Sequence, residues 1–195
     1  MESNQQNFAQ YFLSEFDWAK KLEIMYYLKK KTGVFYDNTV IFKTLLTKLF
    51  IDYLNKNTNF KVNENLILSA RLLCDCKKVQ NSKDAKDIEN YASKGSEFLA
   101  SLGFSKEFCK ICEGVNRYTE QEDRASESDI LELTDQFGAM LLDRPERIGL
   151  DVSEALTLLQ YRNLKGKDNL FLDDFVDFVN QLESIQITTK EEEVL

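Results

Sequence analysis

Apolar residues recur with a helical period along nearly the whole chain, and few residues interrupt them. One proline and seven glycines are spread over 195 residues, so few positions force a break in the backbone. The alternation that is typical of strands is scarce. Hydrophobic residues make up 43% of the chain, which is enough for a packed core, and its length fits one compact domain. These features predict an all-α helical bundle.

Apolar stripes and capping residues place the individual helices. The stretch LILSARLLCDC is apolar on nearly all sides, which predicts a central buried helix. The first three predicted helices span about 1–31, ended by Gly33, then 38–55 and 64–79. The next three span about 82–99, capped by Ser82, then 106–118, capped by Ser105, and 126–142, opened by a Ser126–Asp129 capping box. Asp151 with Glu154 is predicted to begin the seventh helix, and the last helix spans about 170–185.

Two of these helices carry dense apolar stripes. The N-terminal helix is rich in aromatic residues, and we expect its stripe to pack onto the core, with a partner surface as the alternative. The last helix is expected to turn Phe171, Phe175, Phe178, Val179 and Leu182 inward. The second helix is expected to direct Val40, Ile41, Leu45, Leu46, Leu49, Phe50 and Tyr53 toward the core.

The chain is acidic, with a net charge of −8. Because an acidic surface repels phosphate groups, we expect neither nucleic acid nor a membrane as a partner. Lysine runs at Lys29–Lys31 and Lys77–Lys78 are interpreted as solvated helix ends. The sequence contains no apolar stretch of membrane-spanning length and no signal-peptide pattern at its start, which predicts a cytoplasmic protein with reduced cysteines.

The segment 131–160 reads LELTDQFGAMLLDRPERIGLDVSEALTLLQ. It resembles the HD-GYP family, and HD-domain phosphohydrolases more broadly, in the stretch written VADxFDAMTSDRPYRxGLSxEEALxxL. The resemblance covers roughly residues 60–182. It implies an HD-domain-like helical bundle over 36–186, preceded by an additional N-terminal helix in 1–35 and followed by a charged tail at 187–195, which we expect to fray.

The resemblance also identifies the positions at which the family holds its metal. The family sequence LLHDIGK matches a segment in which Asp75 is retained and Cys74 replaces the histidine. A second aspartate matches Asp135, and the histidine of HPEIGAEIL is replaced by Tyr91. Both histidines and the Gly-Tyr-Pro loop of HHERYDGxGYP are absent, and the chain contains no histidine at all. The resemblance therefore implies a vestigial metal site of Asp75, Asp135, Cys74 and Tyr91.

Imidazole ligands hold the family's iron or manganese and leave a bound water acidic enough to attack phosphorus. Two carboxylates alone could hold Mg²⁺ with several waters, but they would activate that water much less. The alternative is that Asp75 and Asp135 cap helices or accept hydrogen bonds. We therefore predict no bound metal, no cofactor and no catalytic residue.

Three arginines are candidates for binding phosphate, because the guanidinium group matches phosphate oxygens. They are Arg144, Arg147 and Arg117, of which the first two lie in the DRPER segment. The alternative interpretation is that an Asp143–arginine pair stabilises the turn before Asp151.

The four cysteines occur as Cys74-x-Cys76 and Cys109-x-x-Cys112. Two such pairs could supply the four thiolates of a zinc site. Both pairs fall within predicted helices, and cysteine is often buried without a metal. Buried thiols are therefore the favoured interpretation.

From the resemblance we expect a catalytically inactive HD-GYP-like module for regulation or protein interaction in bacterial signalling. A protein partner is expected, and a homodimer is left open. One alternative is a sensor that binds cyclic di-GMP or another nucleotide without hydrolysing it. A second alternative is a phosphohydrolase with an atypical metal site built from Asp75, Asp135 and Cys74.

Overall fold

The computed structural model describes residues 8–34, 39–78, 85–116, 124–143, 147–164 and 169–192, apart from the side chains of 85–89, 164 and 183–192. Within these ranges the chain forms nine helices and no strand, which confirms the all-α prediction. The helices are α1 (Phe8–Ser14), α2 (Trp18–Thr32), α3 (Thr39–Asn57), α4 (Glu64–Leu73), α5 (Ala85–Ser101), α6 (Lys106–Gly114), α7 (Ser126–Leu141), α8 (Val152–Leu164) and α9 (Leu172–Glu192).

The predicted single helix over 1–31 is wrong, because the chain breaks between α1 and α2. The Asp17 side chain caps α2 by accepting a hydrogen bond from the Ala19 N–H (2.9 Å), and Glu15 accepts one from the Asp17 N–H (2.9 Å). Such local bonds give the backbone an alternative to a continuous helix. Gly33 ends α2 as predicted, in the left-handed conformation with φ 66°.

Helix α4 is the central helix of the bundle, as predicted. Every residue from Ile67 to Leu73 is buried, and the helix packs against α1, α2, α3, α6 and α7. It ends earlier than the predicted residue 79, because the chain enters a turn at Cys74. This turn places the next residue, Asp75, beside the end of the helix.

Aromatic rings fill the space between α3, α7 and α9. The Phe175 ring lies edge-on to Phe50 at 4.9 Å and to Phe137 at 5.3 Å between centroids. Phe178 also contacts Phe50, at 5.3 Å. Edge-to-face contacts of this kind add to the stabilisation from burial. Four of the five residues predicted to face inward near α9 are buried, and Leu182 is partly buried against the core.

The prediction for the core face of α3 was only partly right. Val40, Leu46 and Phe50 are buried and Tyr53 is partly buried. Three other predicted core residues are instead 37–51% exposed, because α3 contacts α4, α7 and α9 through a neighbouring stripe that includes buried lysine and threonine residues. The exposed residues are Ile41, Leu45 and Leu49.

The caps of two other helices match the prediction. Ser105 accepts a hydrogen bond from the Phe108 N–H (3.2 Å), and Asp151 accepts one from the Glu154 N–H (2.7 Å). The predicted capping box at Ser126 is wrong, because Ala125 is the N-cap residue of α7. The predicted Ser82 cap lies outside the described residues.

The N-terminal pair of helices is attached to α4 by a buried lysine. Lys21 is 1% exposed, and its Nζ donates hydrogen bonds to the Phe12 carbonyl (2.6 Å) and to the Ser69 hydroxyl (2.8 Å). The ammonium also lies 4.5 Å from the centroid of the Phe12 ring. No described helix is both long and apolar enough to cross a membrane.

Lys21 should make the stability of the protein depend on alkaline pH. Burial of the ammonium lowers the pKa of Lys21 from 10.5 to about 8, although the charge of Glu15 opposes this shift. Between these values the unfolded chain holds a proton that the folded protein releases, so this contribution to stability rises with pH. We expect the free energy of unfolding of wild type to gain about 2 kcal/mol relative to Lys21→Met between about pH 7.5 and pH 10.

Urea titrations of both proteins at the two pH values measure this difference. The buried thiols and tyrosine make stability fall as the pH rises. Both proteins contain these groups, so their effect cancels in the difference between the two free energies of unfolding. A difference between wild type and Lys21→Met that stays constant with pH would contradict the assignment.

Candidate functional site

Three segments of the chain bring the two retained aspartates together around one arginine. Asp75 lies in the turn after α4, and Asp135 lies on α7. The Arg71 Nη2 donates a hydrogen bond to Asp75 Oδ2 at 2.8 Å. The Arg71 Nη1 lies 2.9 Å from Asp135 Oδ1, an ion pair without the alignment of a hydrogen bond. The guanidinium group is fully buried, so it links the two carboxylates inside the core.

Two lysines complete the cluster. Lys43 on α3 donates a hydrogen bond to Asp135 Oδ1 at 2.8 Å and is 3% exposed. The Lys78 Nζ lies 3.7 Å from Asp75 Oδ1, and its side chain is 34% exposed. We call Lys43, Arg71, Lys78, Asp75 and Asp135 the ionic cluster.

Tyr91 and Cys74 lie next to the ionic cluster. The Lys78 Nζ is 5.5 Å from the centroid of the Tyr91 ring. Burial and the charges of Asp75 and Asp135 raise the pKa of Tyr91 well above its usual value. Burial likewise raises the pKa of Cys74, so both groups are neutral near pH 7. The structure thus brings together all four residues that the resemblance implies for a vestigial metal site.

The ionic cluster contains more basic than acidic groups. Burial alone would raise the pKa of Asp135, but the charges of Lys43, Arg71 and Lys78 lower it well below its usual value. The pKa of Lys78 is raised, chiefly by the charge of Asp75. The ionic cluster thus combines three basic side chains with two acidic ones, an excess of one basic group.

The residues of the ionic cluster do not fit the metal centre that the resemblance would imply. Asp75 and Asp135 each have an oxygen 2.8–2.9 Å from a cationic nitrogen, so a divalent ion would have to displace these cations. The Cys74 thiol donates a hydrogen bond to the Arg71 carbonyl at 3.5 Å, so it too is already engaged. In the described part of the chain, no three histidine, cysteine, aspartate or glutamate residues are placed to hold a metal ion.

The four cysteines are free and buried, as the favoured interpretation expected. Cys109 lies with its Sγ 4.0 Å from the Phe104 carbonyl, and Cys112 with its Sγ 3.9 Å from the Ala70 carbonyl. Burial raises the pKa of Cys76 to about 12. These contacts with backbone carbonyls favour a packing role over a zinc site, since no three metal-binding residues are placed together in the described part of the chain.

Of the three arginines predicted to bind phosphate, only Arg147 lies within the described residues. Its guanidinium donates hydrogen bonds to the carbonyls of Ala139 and Met140, which lie in the last turn of α7. These carbonyls lack partners within the helix, so Arg147 caps the end of α7. Arg144 and Arg117 lie outside the described residues.

The turn after α7 is also fixed by backbone contacts. Asp143 accepts a hydrogen bond from the Gly149 N–H at 2.7 Å, so it pairs with the backbone and not with Arg147. A Cβ at Gly149 would lie 2.1 Å from the Leu141 carbonyl oxygen, which explains why glycine is needed there. These contacts stabilise the turn, as the alternative interpretation expected, but through bonds of Asp143 and Arg147 to the backbone and not through a pair between them.

Sequence reasoning missed all three cations of the ionic cluster. For Arg71 and Lys78 a signal was available, because they lie four residues before and three after Asp75. Arg71 gave a second signal, because it is a charged residue inside the apolar run of α4 and a buried charge requires a partner. The interpretation of Lys78 as solvated is only partly right, because its side chain is 34% exposed but its Nζ lies 3.7 Å from Asp75 Oδ1. Nothing local marks Lys43, whose partner Asp135 lies 92 residues away.

Comparison with protein-family models, with curated proteins and with solved structures found no match to this chain.

Arg71 should be essential to stability, because its removal leaves buried carboxylates without their shared partner. We expect Arg71→Met to lower the free energy of unfolding by about 3–5 kcal/mol. The triple variant Arg71→Met, Asp75→Asn, Asp135→Asn should recover part of that loss, since it removes the orphaned charges as well. Urea denaturation near pH 7 measures both values. A loss below about 1 kcal/mol for Arg71→Met would contradict the bridging role.

Proposed function

We propose that this protein is a catalytically inactive HD-GYP-like module that acts by regulation or protein interaction in bacterial signalling, in the cytoplasm. The observation that supports the proposal best is the position of Arg71. Its guanidinium lies between Asp75 and Asp135, the two carboxylates that the resemblance assigns to the metal. The Arg71 guanidinium thus supplies, between the two carboxylates, the positive charge that a metal ion would otherwise supply.

The chemistry of the ionic cluster argues for the same conclusion. Hydrolysis of a phosphate ester near neutral pH needs an activated water and a group to accept its proton. Asp135 is a poor proton acceptor, because the cations around it lower its pKa far below its usual value. Cys74 and Tyr91 stay protonated, so neither of them supplies a general base.

A second candidate is the nucleotide sensor, and the excess of one basic group in the ionic cluster favours it. Lys78 is the most exposed of the three cations, and its ammonium lies over the Tyr91 ring. A cation beside an aromatic ring can contact both the phosphate and the base of a nucleotide. Arg147 does not support this candidate, because it is engaged with the end of α7.

The first experiment tests for catalysis. Protein loaded with excess Mn²⁺ or Fe²⁺ is assayed with cyclic di-GMP and with bis(p-nitrophenyl) phosphate, and metal content is measured by elemental mass spectrometry. We expect no turnover above the buffer rate and no stoichiometric metal. Turnover that is lost in Asp75→Ala or Asp135→Ala but kept in the exposed control Asp177→Ala would overturn the proposal.

The sensor is tested by thermal unfolding with cyclic di-GMP. A ligand that binds only the folded state raises the melting temperature, here by about 3 °C or more at saturation. For the sensor we expect this shift to disappear in Lys78→Met and to persist in the exposed control Lys56→Met. An absent shift, or one that Lys78→Met leaves unchanged, would remove the ionic cluster from nucleotide binding.

A further inference from the structure

The outward face of α2 is unusual for an acidic protein. Its inward face consists of Lys21, Met25 and Leu28, which are buried against the rest of the bundle. Since Lys21 is bonded to α1 and α4, the orientation of the helix is fixed. The opposite side is therefore held toward solvent, and we call it the α2 outer face. Its exposed residues are Lys20, Glu23, Tyr26, Tyr27, Lys29, Lys30 and Lys31; the exposed Trp18 lies half a turn around the helix from Tyr27 and is not part of this face.

Aromatic rings and lysines alternate on the α2 outer face. Tyr26 and Tyr27 are 49% and 58% exposed, and Glu23 is the only acidic residue within α2. The Lys31 Nζ lies 4.8 Å from the centroid of the Tyr27 ring. Tyrosine and tryptophan are the residues that most often anchor protein interfaces, and on the α2 outer face the tyrosine rings remain exposed to solvent.

The basic end of the α2 outer face is concave. A shallow open depression of about 580 Å³ is lined by Tyr26, Tyr27, Lys29 and Lys30. Two rings and two ammonium groups in one depression suit a ligand that carries both carboxylates and apolar groups. An acidic polypeptide segment with interspersed apolar side chains has this chemistry.

Charge favours a polypeptide over other anionic ligands. The protein carries a net charge of −8, which repels the dense phosphates of a nucleic acid at long range. In the break before α2, Phe16 is 79% exposed but is flanked by Glu15 and Asp17, which oppose contact with an anionic membrane. A short acidic segment needs only the local basic patch around Lys29–Lys31.

We propose that the α2 outer face is a docking surface for an acidic segment of a partner protein. The partner's carboxylates pair with Lys30 and Lys31, and its apolar side chains pack on Tyr26 and Tyr27. This proposal assigns a partner class to the interaction role proposed above and rests on it.

The test measures binding of a fluorescent random copolymer of glutamate and tyrosine by anisotropy, at low salt and at about 0.3 M salt. The copolymer samples many local sequences of the required chemistry. We expect binding that the double charge reversal Lys30→Glu, Lys31→Glu weakens by about ten-fold or more. The matched control Lys56→Glu, Lys106→Glu changes the net charge equally on other surfaces and should stay within about two-fold of wild type.

A second pair of variants separates ring contacts from charge. Tyr27→Ser should weaken binding, whereas Tyr11→Ser, at another exposed tyrosine, should not. Circular dichroism melts confirm that all variants remain folded. Absence of copolymer binding, or equal binding by both charge variants, would overturn the proposal. Tighter binding of polyuridylate or of phosphatidylserine vesicles through Lys30 and Lys31 would also overturn it, in favour of those partners.

These outcomes are independent of the catalytic assay. Turnover that requires Asp75 would overturn the proposed function, whether or not the copolymer binds. Failure of the copolymer to bind would leave the assignment of the ionic cluster unchanged and would remove only the docking surface.

Discussion

The buried guanidinium of Arg71 is the interaction on which the arrangement of α4 and α7 depends. It contacts Asp75 and Asp135 at once, while Lys43 extends the same network to α3. Burying charges costs several kcal/mol for each ion, and their mutual attraction only offsets that cost when the geometry is good. We therefore expect the network to act more on specificity than on net stability, because a packing that separated Arg71 from the two carboxylates would leave buried charges unpaired.

Much of the fold could be predicted because its signals are local. The low glycine and proline content and the helical period indicate the all-α class, and the largely apolar run from Ile67 to Leu73 indicates the central helix. The caps at Ser105 and Asp151 depend on bonds to residues only three positions away. Gly33 ends α2 through its own backbone conformation. None of these features requires knowledge of a distant contact.

The features that could not be predicted depend on distant or competing contacts. The break before α2 arises because Asp17 caps a new helix where the apolar stripe would permit continuation. The core face of α3 is set by the neighbours that the helix acquires, so Leu45 stays half exposed although its spacing matches the stripe. For the candidate site, sequence reasoning found Asp75 and Asp135, but it missed Lys43, whose role depends on a contact across 92 positions.

Helix α4 also connects the two parts of the protein for which a role is proposed. Ser69 binds Lys21 of α2, and two residues later Arg71 binds Asp135 of α7. Residues two apart on a helix point about 200° from each other, so these contacts lie on opposite sides of α4. The α2 outer face is thus anchored, through Lys21, to the same buried helix that carries the ionic cluster. A partner on α2 would meet a surface whose position depends on the fully packed core, which reduces the entropy lost on binding.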